Sequence, residues 1–169
     1  MDDRSKITSL EQRLAGSPAV HGPAVADLEM LADLYIQADS YVPALETIDR
    51  LLSLPAARGL SPARRAALQV KAAGCRLSRG EAQAGLAQLR ETLRDVPAGS
   101  EALRALVLLE CGKAEMLLGR VAASGRSAAE GLRIADRIGD LALSAKALEG
   151  LGTAAYREGD LAQARDLRE

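Results

Sequence analysis

The sequence predicts an all-α fold, and three observations support this prediction. Only 2% of the 169 residues are aromatic, with no Phe and no Trp, so the chain lacks residues that β-sheets favour. Hydrophobic residues make up 48% of the chain, and many of them are Leu and Ala, which are strong helix formers. Apolar residues also recur at helical spacing between short turns that contain Gly, Pro or Asp.

A lead helix is predicted over residues 5–15, where Ile7, Leu10 and Leu14 share one helical face. A connection up to residue 22 follows, so we expect residues 1–22 to precede the main array of helices. The single histidine, His21, lies in this connection without a carboxylate or cysteine pattern that would make it a catalytic base or a metal ligand. We expect His21 to be a solvated linker residue.

Helix pairs are predicted after this connection. In the first pair, one helix is expected over residues 24–38, and the second begins after Ser40 and ends before Pro55. A loop is expected over 56–60. The second pair is predicted as helices over 62–78 and 81–95, because Ser61-Pro62 is typical of a helix N-terminus.

The third pair is predicted to begin with a helix that Ser100 caps and that ends before Gly119. Its second helix is expected over 121–138 and contains Gly125 and Gly131. Each of these glycines costs roughly 1 kcal/mol relative to Ala, unless it lets another helix approach closely. A fourth pair is expected over 140–169.

The clearest repeat signal lies in residues 148–167, where an apolar helical face is followed by a Gly-Asp turn and a second apolar line that includes Leu161 and Leu167. The spacing of this stretch resembles the tetratricopeptide (TPR) repeat, W-x2-L-G-x2-Y…A-x3-F, with Leu or Ala replacing the aromatic residues and Arg168 in the last position. Small residues at the helix contact recur at intervals of 42, 38 and 40 residues, namely at Ala32, Gly74, Gly112 and Gly152. This period resembles the longer repeats of kinesin light chains and of bacterial transcriptional regulators.

The resemblance covers about residues 24–169, and it implies a right-handed superhelical solenoid of antiparallel helix pairs. Its repeats would lie at about 23–56, 61–97, 99–138 and 140–169. Glu115 departs from the family pattern, because the family has Tyr at this position. HEAT-like helix pairs have a similar period and are the alternative, but they do not explain the Leu-Ala/Gly step followed by Gly-Asp. The positions expected to be structural are Leu28, Leu31, Ala32, Tyr35, Ala44, Gly112, Gly119, Leu148, Leu151, Gly152, Gly159 and Ala164.

Charge is uneven along the chain although the net charge is −1. Residues 1–50 contain 4 basic and 9 acidic residues, whereas residues 51–98 contain 8 basic and 3 acidic ones. This asymmetry predicts either attraction between neighbouring repeats, which we favour, or a charged binding face. The overall balance gives no reason to expect contact with nucleic acid or an anionic membrane.

Cellular location is inferred from the cysteines and from the apolar runs. Cys75 and Cys111 lie in apolar helical stretches and are expected to be buried thiols in a reducing compartment. The first residues lack the apolar core of a signal peptide, and the longest apolar run, 105–109, is too short to span a membrane. We therefore expect a cytoplasmic location.

Motifs for catalysis, cofactors and metals are missing from the sequence, which predicts a protein that is not an enzyme and has no cofactor. Gly112-Lys113 is not part of a phosphate-binding loop, since Val107 and Ala114 occupy the positions of the first glycine and the hydroxyl residue. Acidic residues lie on the solvent faces of the predicted helices, where Glu and Arg three or four residues apart commonly form surface ion pairs.

The resemblance implies that the first helix of each pair lines a concave groove, and that the groove binds an extended peptide or a partner helix. A clamp for a terminal carboxylate is not expected, because Asp33 and Thr153 stand where that clamp has Asn. The predicted groove residues are Glu29, Asp33, Gln37, Lys113, Leu117, Lys146, Glu149, Tyr156 and Arg157.

Three roles are consistent with this reading. The first is a non-catalytic interaction scaffold, as the regulatory region of a larger bacterial signalling or transcription-regulatory protein. The second is a sensor that binds a peptide or small molecule in the groove. The third is a homo-oligomerisation module, because the last repeat lacks a polar capping helix and exposes an apolar face that a second copy could cover.

Overall fold

A computed structural model describes residues 3–16 and 23–167. Within these residues the chain forms nine α-helices and no β-strand, as the composition predicts. His21 and Arg168 lie outside the described residues. The chain divides into two compact units, Met1–Gly80 and Glu81–Glu169.

The first unit contains four α-helices and one 3₁₀ helix. The α-helices are α1 (Asp3–Gly16), α2 (Pro23–Gln37), α3 (Tyr41–Ser53) and α4 (Pro62–Ser78). The 3₁₀ helix, Pro55–Gly59, occupies most of the segment that was predicted as a loop. It forms because Pro55 suits the first turn of a helix and because Ala57 is completely buried against the core.

The second unit contains the remaining five helices of the described chain. They are α5 (Ala82–Asp95), α6 (Glu101–Leu117), α7 (Val121–Ile138), α8 (Leu141–Glu158) and α9 (Leu161–Asp166). The predicted second repeat is divided at the unit boundary, since α4 belongs to the first unit and α5 to the second.

The core of the first unit lies between α2 and α3, with further contacts from α1 and α4. Leu28, Ile48 and Leu51 are its largest fully buried side chains. Ala32 and Ala44 are also completely buried, and small side chains of this kind let two helices approach each other. Tyr35 is only half-buried, so it lies at the edge of the core rather than inside it.

The helix contact expected at Gly74 is not present in α4. A Cβ atom added to Gly74 would have no neighbour within 4 Å, whereas the preceding Ala72 and Ala73 are completely buried. The small buried residues therefore lie at least one position earlier than the repeat spacing predicts.

Two glycines allow close packing of α6 against α7 in the second unit. A Cβ atom on Gly112 would lie 3.2 Å from the backbone oxygen of Ser124, and one on Gly131 would lie 2.7 Å from Cδ2 of Leu109. Gly112, one of the positions expected to be structural, thus lies at a close contact between the two helices. Gly131 lowers the intrinsic stability of α7, but its missing side chain lets α6 approach closely. This packing offsets part of the cost.

Turns that combine glycine with aspartate are formed as predicted. Gly139 ends α7 with φ of +70°, and Gly159 ends α8 with φ of +88°. Asp140 and Asp160 then each accept a hydrogen bond from the backbone N–H three residues later, at 3.0 Å in both cases. Gly119 has a φ of +71° after α6, so each of these glycines occupies a left-handed conformation that suits it.

The serine caps differ from each other. Ser61 accepts a hydrogen bond from the backbone N–H of Arg64 at 3.2 Å, as expected of an N-cap. Ser100 precedes α6, but its side chain makes no capping hydrogen bond. The predicted start of α6 is therefore correct, whereas the predicted cap is wrong.

The last described helix, α9, is six residues long and contacts α8. Ala164 is buried, as the repeat pattern requires, whereas Leu161 is 63% exposed. Leu161 is therefore not packed in the way that its place on the apolar line suggested. None of the helices in the described residues has the length and hydropathy that a membrane span needs.

Candidate partner-binding site

Three helices of the second unit, α6, α7 and α8, enclose a pocket of about 340 Å³. Helix α6 contributes Leu109, Gly112, Lys113, Met116 and Leu117. Helix α8 contributes Lys146, Glu149, Gly150 and Thr153. Ser124 and Ala128 of α7 complete the lining. Because both of these α7 residues are buried, they form the floor.

Small residues bring the walls of this pocket close to its floor. A Cβ atom on Gly112 would lie 3.2 Å from the backbone oxygen of Ser124, and one on Gly150 would lie 3.4 Å from the Cβ of Ala128. Met116 adds a flexible thioether, a group that adapts to differently shaped apolar ligands. Leu117 is 57% exposed at the rim. The interior is therefore apolar and open to solvent on one side.

Charged side chains from two helices border this apolar interior. The Nζ atom of Lys146 on α8 lies 2.5 Å from Oε1 of the buried Glu110 on α6, so this lysine is already paired. Lys113 on α6 and Glu149 on α8 are exposed, and neither side chain has an ion-pair partner in the part of the chain that the structure describes. One cation and one anion thus remain available to a ligand.

Glu115 is the centre of a polar network that the sequence did not reveal. It is 4% exposed, and its carboxylate accepts hydrogen bonds from Nη2 of Arg90 at 3.0 Å and from Oγ of Ser127 at 2.8 Å. These bonds join α5, α6 and α7. A buried carboxylate with a cationic partner therefore replaces the tyrosine of the TPR pattern. The sequence signal for this network was a single acidic residue within an otherwise apolar helical line.

Cys111 lies close to this network and is 4% exposed, in agreement with the buried thiol predicted for it. Burial raises the pKa of the Cys111 thiol to about 11, and the negative charge of Glu115 adds to the effect. Burial likewise raises the pKa of Cys75. Both thiols therefore remain neutral at physiological pH.

Two of the three groove residues predicted in the first unit form ion pairs with a neighbouring helix. Glu29 of α2 forms a two-point ion pair with Arg64 of α4, with Nε of Arg64 2.8 Å from Oε1 of Glu29. Asp33 lies 2.5 Å from Nζ of Lys71, which is also on α4. Gln37 is exposed near the end of α2. These pairs join acids of the first fifty residues to bases of the next segment, which favours attraction between repeats over a charged binding face.

The structure brings together four of the nine predicted groove residues, Lys113, Leu117, Lys146 and Glu149, around the pocket. Tyr156 and Arg157 are exposed on α8 and do not line it. The α7 floor was missed because the resemblance assigns the groove wall to the first helix of each pair. Its sequence signal was the recurrence of small residues along α7.

Throughout residues 3–16 and 23–167, no group of three or more His, Cys, Asp or Glu residues is placed to hold a metal ion. Across the same residues, no buried side-chain nitrogen or oxygen atom lacks a hydrogen-bond partner. The pocket offers an apolar surface and three exposed charged side chains, those of Lys113, Lys146 and Glu149, of which Lys146 is paired with Glu110.

No family model matches the sequence, and no curated protein matches it significantly, but solved structures do match. The putative kinesin light chain of Podosopora anserina, built from nearly identical TPR-like repeats, has a TM-score of 0.72 and 18% identity, over 98% of this chain and 83% of that one. BtubC from P. vanneervenii has a TM-score of 0.78 and 17% identity, over 99% of this chain and 71% of that one. The chain has a TPR-like repeat fold.

A bacterial protein that was solved with a bound peptide and DNA has a similar fold. PlcR from Bacillus thuringiensis, solved in complex with the peptide PapR7 and DNA, has a TM-score of 0.74 and 14% identity. The match covers 98% of this chain and 63% of PlcR. The all-α, TPR-like fold class predicted from the sequence is therefore confirmed. At these identities the similarity concerns the fold.

Proposed function

We propose that this chain is a non-catalytic scaffold for protein–protein interaction, and that it binds a protein or peptide partner through the pocket between α6, α7 and α8. The observation that carries this proposal is the pocket itself, which has an apolar interior and exposed charges of both signs. TPR-like repeats generally serve as interaction modules, and stacked helical repeats use their concave surfaces for binding.

The proposed setting is the regulatory region of a larger cytoplasmic bacterial protein that acts in signalling or transcription. Two similar structures support this setting. PlcR was solved with a peptide and DNA, and this chain spans 63% of its length. RapI has a TM-score of 0.77 and 15% identity, and this chain spans 45% of its length. A TPR-like region of this size is thus found within longer chains.

A sensor that responds to a peptide or small molecule is a narrower form of the same proposal, since it would use the same pocket. Self-association is the other alternative, and the exposed Leu141 and Leu161 bear on it. Leu141 is the first residue of the 18-residue α8, which is about 27 Å long, and Leu161 follows the other end of that helix. They therefore do not form a single apolar patch, and a homodimer is the less favoured role.

The proposal is tested by selecting binders from a random peptide library displayed on phage, with the purified chain as target. Enriched peptides should bind the chain saturably in solution, as measured by fluorescence anisotropy. The heat-unfolded chain serves as the control and should not bind them. A selection that yields no peptide with saturable binding to the folded chain would contradict the scaffold function.

A further inference from the structure

We propose that the α6–α7–α8 pocket receives one aliphatic side chain of a peptide, while Lys113 pairs with an acidic neighbour of that residue and Glu149 pairs with a basic one. This inference rests on the proposed scaffold function and specifies its ligand. It concerns the second unit alone, because all of the lining residues belong to that unit.

The size of the pocket suits a large side chain. Its volume of about 340 Å³ exceeds that of a cavity of roughly 150 Å³, which already holds a benzene molecule. An aliphatic side chain and part of the adjoining backbone therefore fit. Pockets that bind drug-sized ligands usually have volumes of about 300 to 1,000 Å³, and this pocket lies at the lower end of that range.

The apolar interior favours an aliphatic group over a polar one. Leu109 and Ala128 are buried, and Met116 is partly buried beside them, so a polar side chain resting against these three side chains would lose water without gaining hydrogen bonds from them. Leu117 is 57% exposed at the rim, where a ligand would cover it. Burial of one aliphatic side chain is expected to raise affinity about 10- to 100-fold.

Charge decides what flanks the aliphatic residue. Lys146 lies 2.5 Å from the buried Glu110, so its charge is already balanced by that carboxylate. Lys113 and Glu149 are exposed and carry opposite charges on different helices. A peptide with acidic groups on both sides would be repelled by Glu149, and one with basic groups on both sides would be repelled by Lys113. Complementarity therefore selects a peptide with one of each.

The methionines provide a spectroscopic test. Met116 lines the pocket, whereas Met30 lies on α2 of the first unit and is 55% exposed. The full chain would be labelled with ¹³C at the methionine methyl groups and titrated with four blocked hexapeptides, each with a central Leu. Their flanking residues would be Asp then Lys, Lys then Asp, Asp on both sides, and Lys on both sides.

One of the two mixed-charge peptides should shift the Met116 methyl signal saturably and leave the Met30 signal unchanged. The peptides with like charges should bind at least 10-fold more weakly. Equal binding of all four peptides, or an unchanged Met116 signal with every peptide, would overturn the proposal.

A charge swap tests the two pairing residues separately. Lys113→Glu and Glu149→Lys should each weaken binding of the preferred peptide at least 10-fold, and the double variant should prefer the other mixed-charge peptide. Both side chains are exposed, so the variants are expected to fold, which circular dichroism would check. A double variant that keeps the original preference would overturn the assignment of the two charges.

Failure of this inference can be told apart from failure of the scaffold function. Library peptides that shift the Met116 signal while the four hexapeptides bind equally would leave the pocket as the partner site and remove the ligand specificity inferred here. Library peptides that bind but shift neither Met30 nor Met116 would remove the pocket from both proposals. A library that yields no binder would remove the scaffold function itself.

Discussion

Two glycines in α7 have different surroundings, although they lie only six residues apart. A Cβ atom on Gly125 would lie 3.6 Å from the Cβ of Ala154, which is an ordinary contact. A Cβ atom on Gly131 would lie 2.7 Å from Cδ2 and 3.1 Å from Cγ of the buried Leu109, both closer than an ordinary contact. Only one of the two glycines is therefore required by packing.

Substitution of these glycines by alanine should have opposite effects. Gly125→Ala is expected to raise the free energy of unfolding by up to about 1 kcal/mol, because alanine favours the helix. Gly131→Ala gains the same helical preference, but it overpacks the α6–α7 contact at a cost of roughly 1 to 3 kcal/mol. Urea unfolding should show Gly131→Ala to be less stable than Gly125→Ala by about 1 kcal/mol or more. Equal stabilisation of both variants would show that α6 and α7 adjust freely at this contact.

The buried thiol of Cys111 should make the free energy of unfolding depend on pH in the alkaline range. Its thiol keeps its proton up to about pH 11 in the folded chain, whereas an unfolded cysteine loses it above about pH 8.5. The unfolded state therefore binds fewer protons in this interval, so the free energy of unfolding falls as the pH rises. The contribution of Cys111 should amount to about 2 kcal/mol between pH 8.5 and 11.

The Cys111→Ala variant isolates this contribution. Other groups titrate in the same range, so the informative quantity is the difference between the unfolding free energies of the parent chain and the variant. We expect that difference to shrink by about 2 kcal/mol from pH 8.5 to 11. A difference that stays constant with pH would mean that the Cys111 thiol is solvated in the folded chain.

The N-termini of α6 and α8 allow a comparison between a helix without a side-chain cap and a helix with one. Asp140 accepts a hydrogen bond from the backbone N–H of Leu143 at the start of α8, whereas Ser100 makes no such bond at the start of α6. Asp140→Ala should therefore destabilise the chain by about 1 kcal/mol, and Ser100→Ala by much less. Thermal unfolding of both variants would check this, and equal losses would show that capping does not set the difference.

Two ion pairs between helices differ in burial and can be compared in the same way. Arg90 of α5 bonds the buried Glu115 of α6, whereas Arg137 of α7 bonds Glu101 at 2.6 Å with both side chains largely exposed. Arg90→Ala leaves a buried carboxylate without its cation and should cost roughly 2 kcal/mol or more. Arg137→Ala should cost less than about 1 kcal/mol. Urea denaturation that ranks the two variants the other way round would contradict the role given to Glu115.

Helices were predictable where local chemistry marks their ends. Helices α4 and α7 begin and end at the predicted residues, since α4 starts with a Ser-Pro cap and α7 stops at a left-handed glycine. The 3₁₀ helix Pro55–Gly59 was missed because the burial of Ala57 depends on tertiary contacts. The exposure of Leu161 was missed for the same reason, since an apolar pattern does not say whether a neighbour covers it.

At the scale of the whole molecule, the candidate site was only partly predictable. Lys113, Leu117, Lys146 and Glu149 could be placed on the inner faces of α6 and α8 from the repeat register. The pairing of Lys146 with Glu110 could not be predicted, because it joins residues 36 positions apart. Nor could the sequence show that Glu29 and Asp33 are occupied by ion pairs within the first unit.

Charge also determines how the binding role is best tested. Reversal of Asp33 or Lys146 would break the ion pair with Lys71 or Glu110, so any loss of binding could reflect lost structure. Lys113 avoids this problem, because it is exposed on the pocket and has no ion pair within the described residues. Arg133 is a matched control, since it is an exposed cation on α7 that does not line the pocket.

The most direct test of the proposed function is the affinity of library-selected peptides for the Lys113→Glu and Arg133→Glu variants, measured by fluorescence anisotropy. We expect Lys113→Glu to weaken binding at least 10-fold, which is about 1.4 kcal/mol, and Arg133→Glu to leave it unchanged. Equal affinity of the parent chain and both variants for every selected peptide would contradict a partner-binding pocket between α6, α7 and α8.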